Sequence, residues 1–410
     1  MPLIAKRRNT ILNNNKTKIQ KQDGDLYSMK FLVVTFAPII YKGGKPYAYA
    51  PYVKEMDLWM EHADEIMYAC PEWETEGDLL IAPFKSTKPF IHTRVAPFDV
   101  TTTARKLGFI FKLPKMVWTI FKAMRWADHI HLRCPGNVSL LGCFVQILFP
   151  KKIKTCKYAG NWDWKSKQPF SYRLQQRILH NTFLTKNMKV LVYGTWPDKN
   201  QNMLPFYTAS YSEKEIAVTP PRALDGEIRL LFVGAFMPSK EPITTIKVCE
   251  RLINSGHNVR LDMFGDGSEK AACDAYVAAN NLQHRIVLHG NTPGSEVKLV
   301  FQKAHFLVFI SRSEGWPKVV AESLFWGCVP ITTAVSCVPE MVGYGSRGKL
   351  VTNNADEIIA AIQYYIDRPH EYAAASEDGM QWSRQFTLER FENDIKKILN
   401  GTHPGLANSR

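Results

Sequence analysis

A chain of 410 residues, 45% hydrophobic and 22% charged, is too long for one ordinary domain and too apolar to be disordered, so about two folded domains are expected. The formal net charge of +14 sits in the first half: residues 29–210 carry 25 basic and 13 acidic side chains, residues 211–410 carry 21 and 23, and such one-sidedness suggests an anionic partner. Eight scattered cysteines without a C-x-x-C pair argue against a disulfide scaffold or structural zinc and suit a reducing cytoplasm, while the longest apolar run, inside Val138–Pro150, is shorter than the roughly 20 residues that span a bilayer.

Residues 1–28 are rich in Asn, Lys and Gln, lack periodicity and read as a disordered basic tail; no leading apolar segment reads as a signal peptide. From Met29 on, short apolar runs alternate with helical patterns. Expected strands are Phe31–Ile39, Glu65–Cys70, His129–Leu132, Lys154–Tyr158 and Lys189–Tyr193, then Arg229–Val233, Val259–Phe264, Ile286–His289, Phe306–Ile310 and Val329–Thr332. Most are apolar on both faces, which is how buried parallel strands read. Between them lie helical patterns over Pro51–Ala63, Pro114–Trp126, Ser171–His180, Pro242–Asn254, Ser268–Ala279 and Pro317–Trp326. Alternation of this kind predicts an α/β protein with parallel sheets. Ser210–Glu227, with Pro220–Pro221, breaks the pattern and reads as a linker between a domain over 29–210 and a second over 211–385; an amphipathic last helix over Thr387–Leu399 lies in a closing segment, 386–410.

Ligands of open α/β sheets bind beyond the carboxyl ends of strands. The run from Ser311 through Glu314-Gly315-Trp316-Pro317-Lys318 to Glu322 follows the strand Phe306–Ile310. Pro317 suits the first position of a helix, because its missing N–H would be unpaired there. Glu314 then sits in the loop and Glu322 lies five residues past Pro317, about 7.5 Å along the helix axis, with the free N–H groups of the helix start between the two carboxylates. A nucleoside diphosphate sugar fits this layout: one carboxylate accepts from sugar hydroxyls, the helix start holds the pyrophosphate, and the other carboxylate accepts from the ribose. After another strand, Gly234 lets a ligand approach the backbone and Lys240 can neutralise a phosphate. Gly265-Asp266-Gly267 makes a turn at the edge of the same cleft.

These residues resemble the retaining family 4 glycosyltransferases (glycosyl transferases group 1). The family's E-x7-E pattern is present as Glu314 and Glu322; its G-R-x-x-x-x-K pattern is present as Gly234 and Lys240, with Ala235 at the arginine position. The resemblance is firm over about 228–368 and only architectural over 29–210. It implies the GT-B fold, two facing Rossmann-like domains with the cleft between them. It further implies a glycine-rich loop after the first strand, matched by Gly43–Gly44, and a histidine near the donor sugar at the end of a later strand, matched by His131 or, in the other register, Arg133.

The resemblance implies transfer of a sugar from a nucleotide donor to a hydroxyl of a saccharide or lipid-linked acceptor, with retention, in polysaccharide or glycolipid assembly. Glu314, Lys240 and His131 would act at the reacting centre. Gly234, Gly265, Asp266, Gly315, Trp316, Pro317, Lys318, Glu322, Gly43, Gly44 and Arg133 would hold the donor. No cofactor is implied. From Met29 on there is no Asp-x-Asp triplet (Asp23-Gly24-Asp25 lies in the tail), so no obligatory metal is expected. Thr103–Trp126 interleaves Arg105, Lys106, Lys112, Lys115, Lys122 and Arg125 with aromatic and aliphatic residues, which suits peripheral docking on an anionic membrane. Nucleic acid is a poorer partner, because the basic segment matches no reading motif. The alternative reading is a non-catalytic membrane- or anion-binding protein on the same scaffold.

Overall fold

The computed structural model describes residues 28–77, 80–96 and 103–403, and only the backbone over 103–110. The expected tail, Ser28 apart, lies outside the described residues, as do the last residues, 404–410, and the side chains of Arg105 and Lys106.

The N-terminal domain contains strands β1 (Lys30–Val34), β2 (Ile39–Lys42), β3 (Lys45–Tyr49), β4 (Glu65–Cys70), β5 (Glu72–Trp73), β6 (Ile81–Pro83), β7 (Phe90–Arg94), β8 (His129–Cys134), β9 (Ile153–Tyr158), β10 (Met188–Tyr193) and β11 (Met203–Phe206). Its helices are α1 (Ala50–Met60), α2 (Thr103–Trp126), α3 (Asn137–Val145) and α4 (Phe170–His180). Seven of these strands form a parallel sheet in the order β7-β4-β1-β8-β9-β10-β11. The C-terminal domain contains β12 (Ile228–Val233), β13 (Val259–Phe264), β14 (Ile286–Gly290), β15 (Phe306–Phe309), β16 (Val329–Thr333) and β17 (Lys349–Val351), all parallel, in the order β14-β13-β12-β15-β16-β17. Around them pack α5 (Pro242–Asn254), α6 (Lys270–Ala279), α7 (Gly294–Phe301), α8 (Lys318–Phe325), α9 (Val338–Met341), α10 (Ala355–Ile366) and α11 (Pro369–Ser383). The last helix, α12 (Leu388–Leu399), returns to the N-terminal domain, where Phe391, Ile395 and Ile398 join Trp59 and Phe206 in one core.

The C-terminal sheet has the strand order 3-2-1-4-5-6 and the N-terminal sheet the same order with a seventh strand added, and each reverses direction beside its first strand. That reversal opens a crevice at the carboxyl ends of the central strands. In the N-terminal sheet the crevice lies between the ends of β1 and β8; in the C-terminal sheet it lies between β12 and β15. The apolar strands are buried on both faces because helices cover each side: Leu32, Ile130 and Val190 face the layer of α2, α3 and α4, while Phe31, Val33 and Ile66 face α1 and α12.

One expected strand is divided. Phe31–Ile39 breaks at Thr35–Pro38, and its last residue starts β2 of a second, four-stranded sheet, β5-β2-β3-β6. Gly43 and Gly44, with φ of +56° and +77°, turn the chain between β2 and β3. Two successive positive φ values are what a tight hairpin demands, and glycine adopts them without strain.

Candidate active site

The loop after β15 is anchored before it reaches the cleft. Ser311 N–H donates to Thr333 Oγ1 (3.0 Å), the Thr333 hydroxyl donates back to Ser311 O (2.6 Å), and Ser336 Oγ donates to Gly315 O (3.0 Å). Helix α8 starts at Lys318 with Pro317 as its N-cap, one residue later than the proline spacing suggested. Glu314, largely buried ahead of this helix, is ion-paired with Lys240 of the loop after β12. Lys240 Nζ also lies 5.0 Å from the centre of the Phe309 ring. The two ends of the predicted motifs therefore meet across the switch point of the C-terminal sheet.

Two cavities open at the strand ends, and Glu314 lines the second of them. The first, 740 Å³, is walled by Gly234, Ala235, Gly265, Asp266, Asn291 and Thr292, all at ends of C-terminal strands, and closed from the other domain by Tyr49 and Leu80. Gly265, with φ of +132°, leaves no room for a side chain against Gly234, whose carbonyl a Cβ would overlap. The second cavity, 550 Å³, lies between the domains: Thr35, Tyr52, Glu55, Arg133, Tyr193 and Thr208 face Glu314, Gly315, Trp316 and Lys318. Tyr49 borders both.

Within the second cavity Arg133, at the end of β8, donates from both terminal nitrogens to Glu55 of α1, through Nη2 at 3.1 Å and through Nη1 at shorter range. Lys157 of β9 lies behind, its Nζ 2.9 Å from Glu55 Oε1 and 3.0 Å from the Tyr207 carbonyl, which accepts from it. Burial alone would raise the Glu55 carboxyl, but Arg133 and Lys157 outweigh it and hold the group well below the usual carboxylate range. Burial lowers Lys157 to about 7 even against the pull of Glu55.

Several expected residues are placed elsewhere. His131 sits two residues before Arg133 on the same face of β8, under α1: it is fully buried, its ring 4.5 Å from Trp59, and Nδ1 shares a 2.8 Å hydrogen bond with the Thr155 hydroxyl. It does not reach the cleft, and Arg133 is the residue that emerges there. Gly43–Gly44 form the hairpin tip, away from both cavities; the loop that follows β1 into the cleft is Thr35-Phe36-Ala37. Glu322 lines neither cavity and accepts from Ser210 Oγ (2.6 Å). Pro317 is buried at the helix cap. Glu55 and Tyr49 escaped the sequence reading; the signal for Glu55 was its place among Tyr52, Met56 and Trp59 on the apolar face of α1.

Residues 214–382 match the family model described as glycosyl transferases group 1. The matched stretch takes in all six strands of the C-terminal sheet. Over 169 residues the chain is 30% identical to an uncharacterised glycosyltransferase of Methanocaldococcus jannaschii, spanning 41% of this chain and 46% of that one. Over 83 residues it is 36% identical to the lipopolysaccharide 1,6-galactosyltransferase of Escherichia coli, spanning 20% and 23%. The chain thus covers less than half the length of these curated relatives. Among solved structures, Anabaena HepE in complex with UDP and glucose aligns with a TM-score of 0.64 at 13% identity, over 91% of this chain and 99% of that one. The lipopolysaccharide outer core galactosyltransferase WaaB aligns with 0.63 at 15%, over 91% and 99%. The two domains together have the GT-B fold.

Proposed function

We propose that this protein transfers a sugar from a nucleotide donor to a hydroxyl of a saccharide or lipid-linked acceptor with retained configuration. The observation that carries the reading is the Glu314–Lys240 pair, with Glu314 on the wall of the interdomain cavity and Gly234, Gly265 and Asp266 on the wall of the first. The nucleotide lies along Gly234, Gly265 and Asp266, with its diphosphate against Lys240 and the start of α8. Glu314 accepts from hydroxyls of the sugar. The acceptor oxygen attacks the anomeric carbon from the side the diphosphate leaves; the carbon–oxygen bond to the diphosphate breaks, and the acceptor proton passes to the departing phosphate oxygen. Lys240 and the helix N–H groups take up the charge that develops there, a role that makes a metal dispensable.

The relatives' galactosyltransferase names favour a role in cell-surface polysaccharide or glycolipid assembly. Eight buried free thiols and a nucleotide-sugar donor favour the cytoplasm. Among the described residues no helix is long and apolar enough to cross a membrane. A peripheral site is favoured by charge: residues 100–197 hold 17 basic and 2 acidic side chains, and over the same region Phe111, Trp118, Leu148, Ile153 and Phe183 are exposed.

The test is a panel of UDP-, GDP- and ADP-sugars, screened by thermal shift and then by turnover, with product configuration read by NMR. Glu314→Ala and Lys240→Ala are expected to lower turnover by about 100-fold or more. Undiminished turnover in both defeats the site, and an inverted product defeats retention.

A further inference from the structure

The interdomain cavity is lined by as many carboxylates as cations, but they are not all paired with one another. Arg133 and Lys318 line it; Lys157 stands behind, wholly buried. Facing these cations from α1 are Glu55 and Lys54, and from α8 Glu322, which Ser210 holds. Glu314, the remaining carboxylate of the lining, is taken by Lys240. Arg133 and Lys157 therefore share Glu55, and Lys318 forms no ion pair of its own among the described residues. A largely buried cation without a partner is costly unless an anion completes it.

We propose that this cluster is an acceptor-side anion subsite: Arg133 and Lys318 bind an oxyanion, phosphate or carboxylate, carried by the acceptor. The inference rests on the glycosyltransferase reading for the word acceptor. It does not rest on it for the anion, which the unpaired Lys318 on the same wall as Arg133 calls for. In the proposed function the nucleotide lies along the first cavity, at the strand ends of the C-terminal domain, and Lys318 and Arg133 are not on its walls. The second cavity is walled mostly by the N-terminal domain and opens on Glu314, so a group held at Arg133 sets its neighbouring hydroxyl toward the reacting centre. Glu55 is a positioning residue: it grips both terminal nitrogens of Arg133 and aims the guanidinium, while Thr208 donates to its second oxygen (3.2 Å). Lys157 answers the bound charge. Around it stand Glu55, Arg133 and Lys318 and the rings of Tyr193, Phe206 and Phe391, and burial lowers it to about 7. An incoming anion raises it again, so binding at pH 8 takes up a proton.

The experiment is calorimetric titration of the full chain at pH 8 with inorganic phosphate and with glucuronate, in two buffers of different ionisation enthalpy, with and without saturating UDP. Chloride at equal ionic strength is the control. One or both oxyanions are expected to bind alongside UDP with proton uptake. Lys318→Gln is expected to weaken that binding tenfold or more, and Lys318→Arg to restore most of it. Displacement by UDP, equal affinity in Lys318→Gln, or no binding of either oxyanion beyond the chloride control overturns the subsite. Failure of UDP-sugars to turn over would instead count against the proposed function, and is read separately from oxyanion binding.

Discussion

Gly315→Ala tests whether the arrangement described is the working one. Gly315 belongs to the C-terminal domain, and an added Cβ would overlap the carbonyl oxygen of Ala159 in the N-terminal domain, with that carbonyl's carbon at 3.1 Å and Tyr193 Cδ2 at 3.2 Å. Backbone on both sides cannot swing aside as a flexible side chain would. Relief requires the two domains to separate by a fraction of an ångström to about 1 Å at the point where Glu314 meets the interdomain cavity. Overpacking of this kind costs about 1–3 kcal/mol. Because the clash is between domains, it falls on the closed arrangement rather than on either core. The expected result is a fall in kcat/KM of about 5- to 160-fold, with little change in the thermal midpoint. Gly226→Ala is the control, since its added Cβ meets no atom within 4 Å. Steady-state turnover with the best donor of the panel, beside a melting curve, decides. Wild-type turnover in Gly315→Ala would refute the claim that catalysis needs this closure.

Glu55→Gln leaves Arg133 and Lys157 buried without their shared carboxylate and is expected to cost about 3–5 kcal/mol, read from urea midpoints, with part recovered in Glu55→Gln/Lys157→Met. His305 accepts the Arg229 N–H at Nδ1 and donates from Nε2 to the Ala223 carbonyl, each at 3.0 Å, and burial lowers it to about 4. Between pH 6.5 and 4 the unfolded chain binds a proton that the folded chain refuses, so stability falls as pH drops through that window, by about 2–3 kcal/mol at pH 4.5. Urea midpoints at pH 7 and 4.5 should show a smaller loss in His305→Gln than in the wild type. Trp118→Ser with Phe183→Ser is expected to reduce sedimentation with anionic vesicles while changing stability by only about 0.5 kcal/mol for each substitution. Equal recovery with anionic and neutral vesicles in the wild type would count against membrane docking.

The parallel strands were legible because burial on both faces writes a continuous apolar run: Glu65–Cys70 and Val259–Phe264 have the expected limits. Their loops were legible for the same reason, since Ser311–Lys318 can only begin where Phe306–Phe309 ends. The four-stranded sheet was not. Its strands are two to five residues long and mix charged with apolar side chains, too little for a period to show. Tyr49 was missed with it. His131 misled because residues two apart on a strand share a face, and sequence does not say which of them clears the covering helix. Glu55 was hidden because a lone acid on a helix usually faces water, and the partners that hold it under α1, Arg133 and Lys157, are 78 and 102 residues away.

The return of α12 means that the polypeptide passes between the domains twice, once near Ser210 and again near Phe386. The two passages are stitched together: Leu388 N–H donates to the Tyr211 carbonyl, and Ser212 Oγ donates to Glu389. A hinge made of paired, cross-tied segments resists twisting while permitting a rocking movement, so opening and shutting are steered along one path. It also makes each half dependent on the whole chain, because cutting at the first passage strips a covering helix from Trp59 and Phe206.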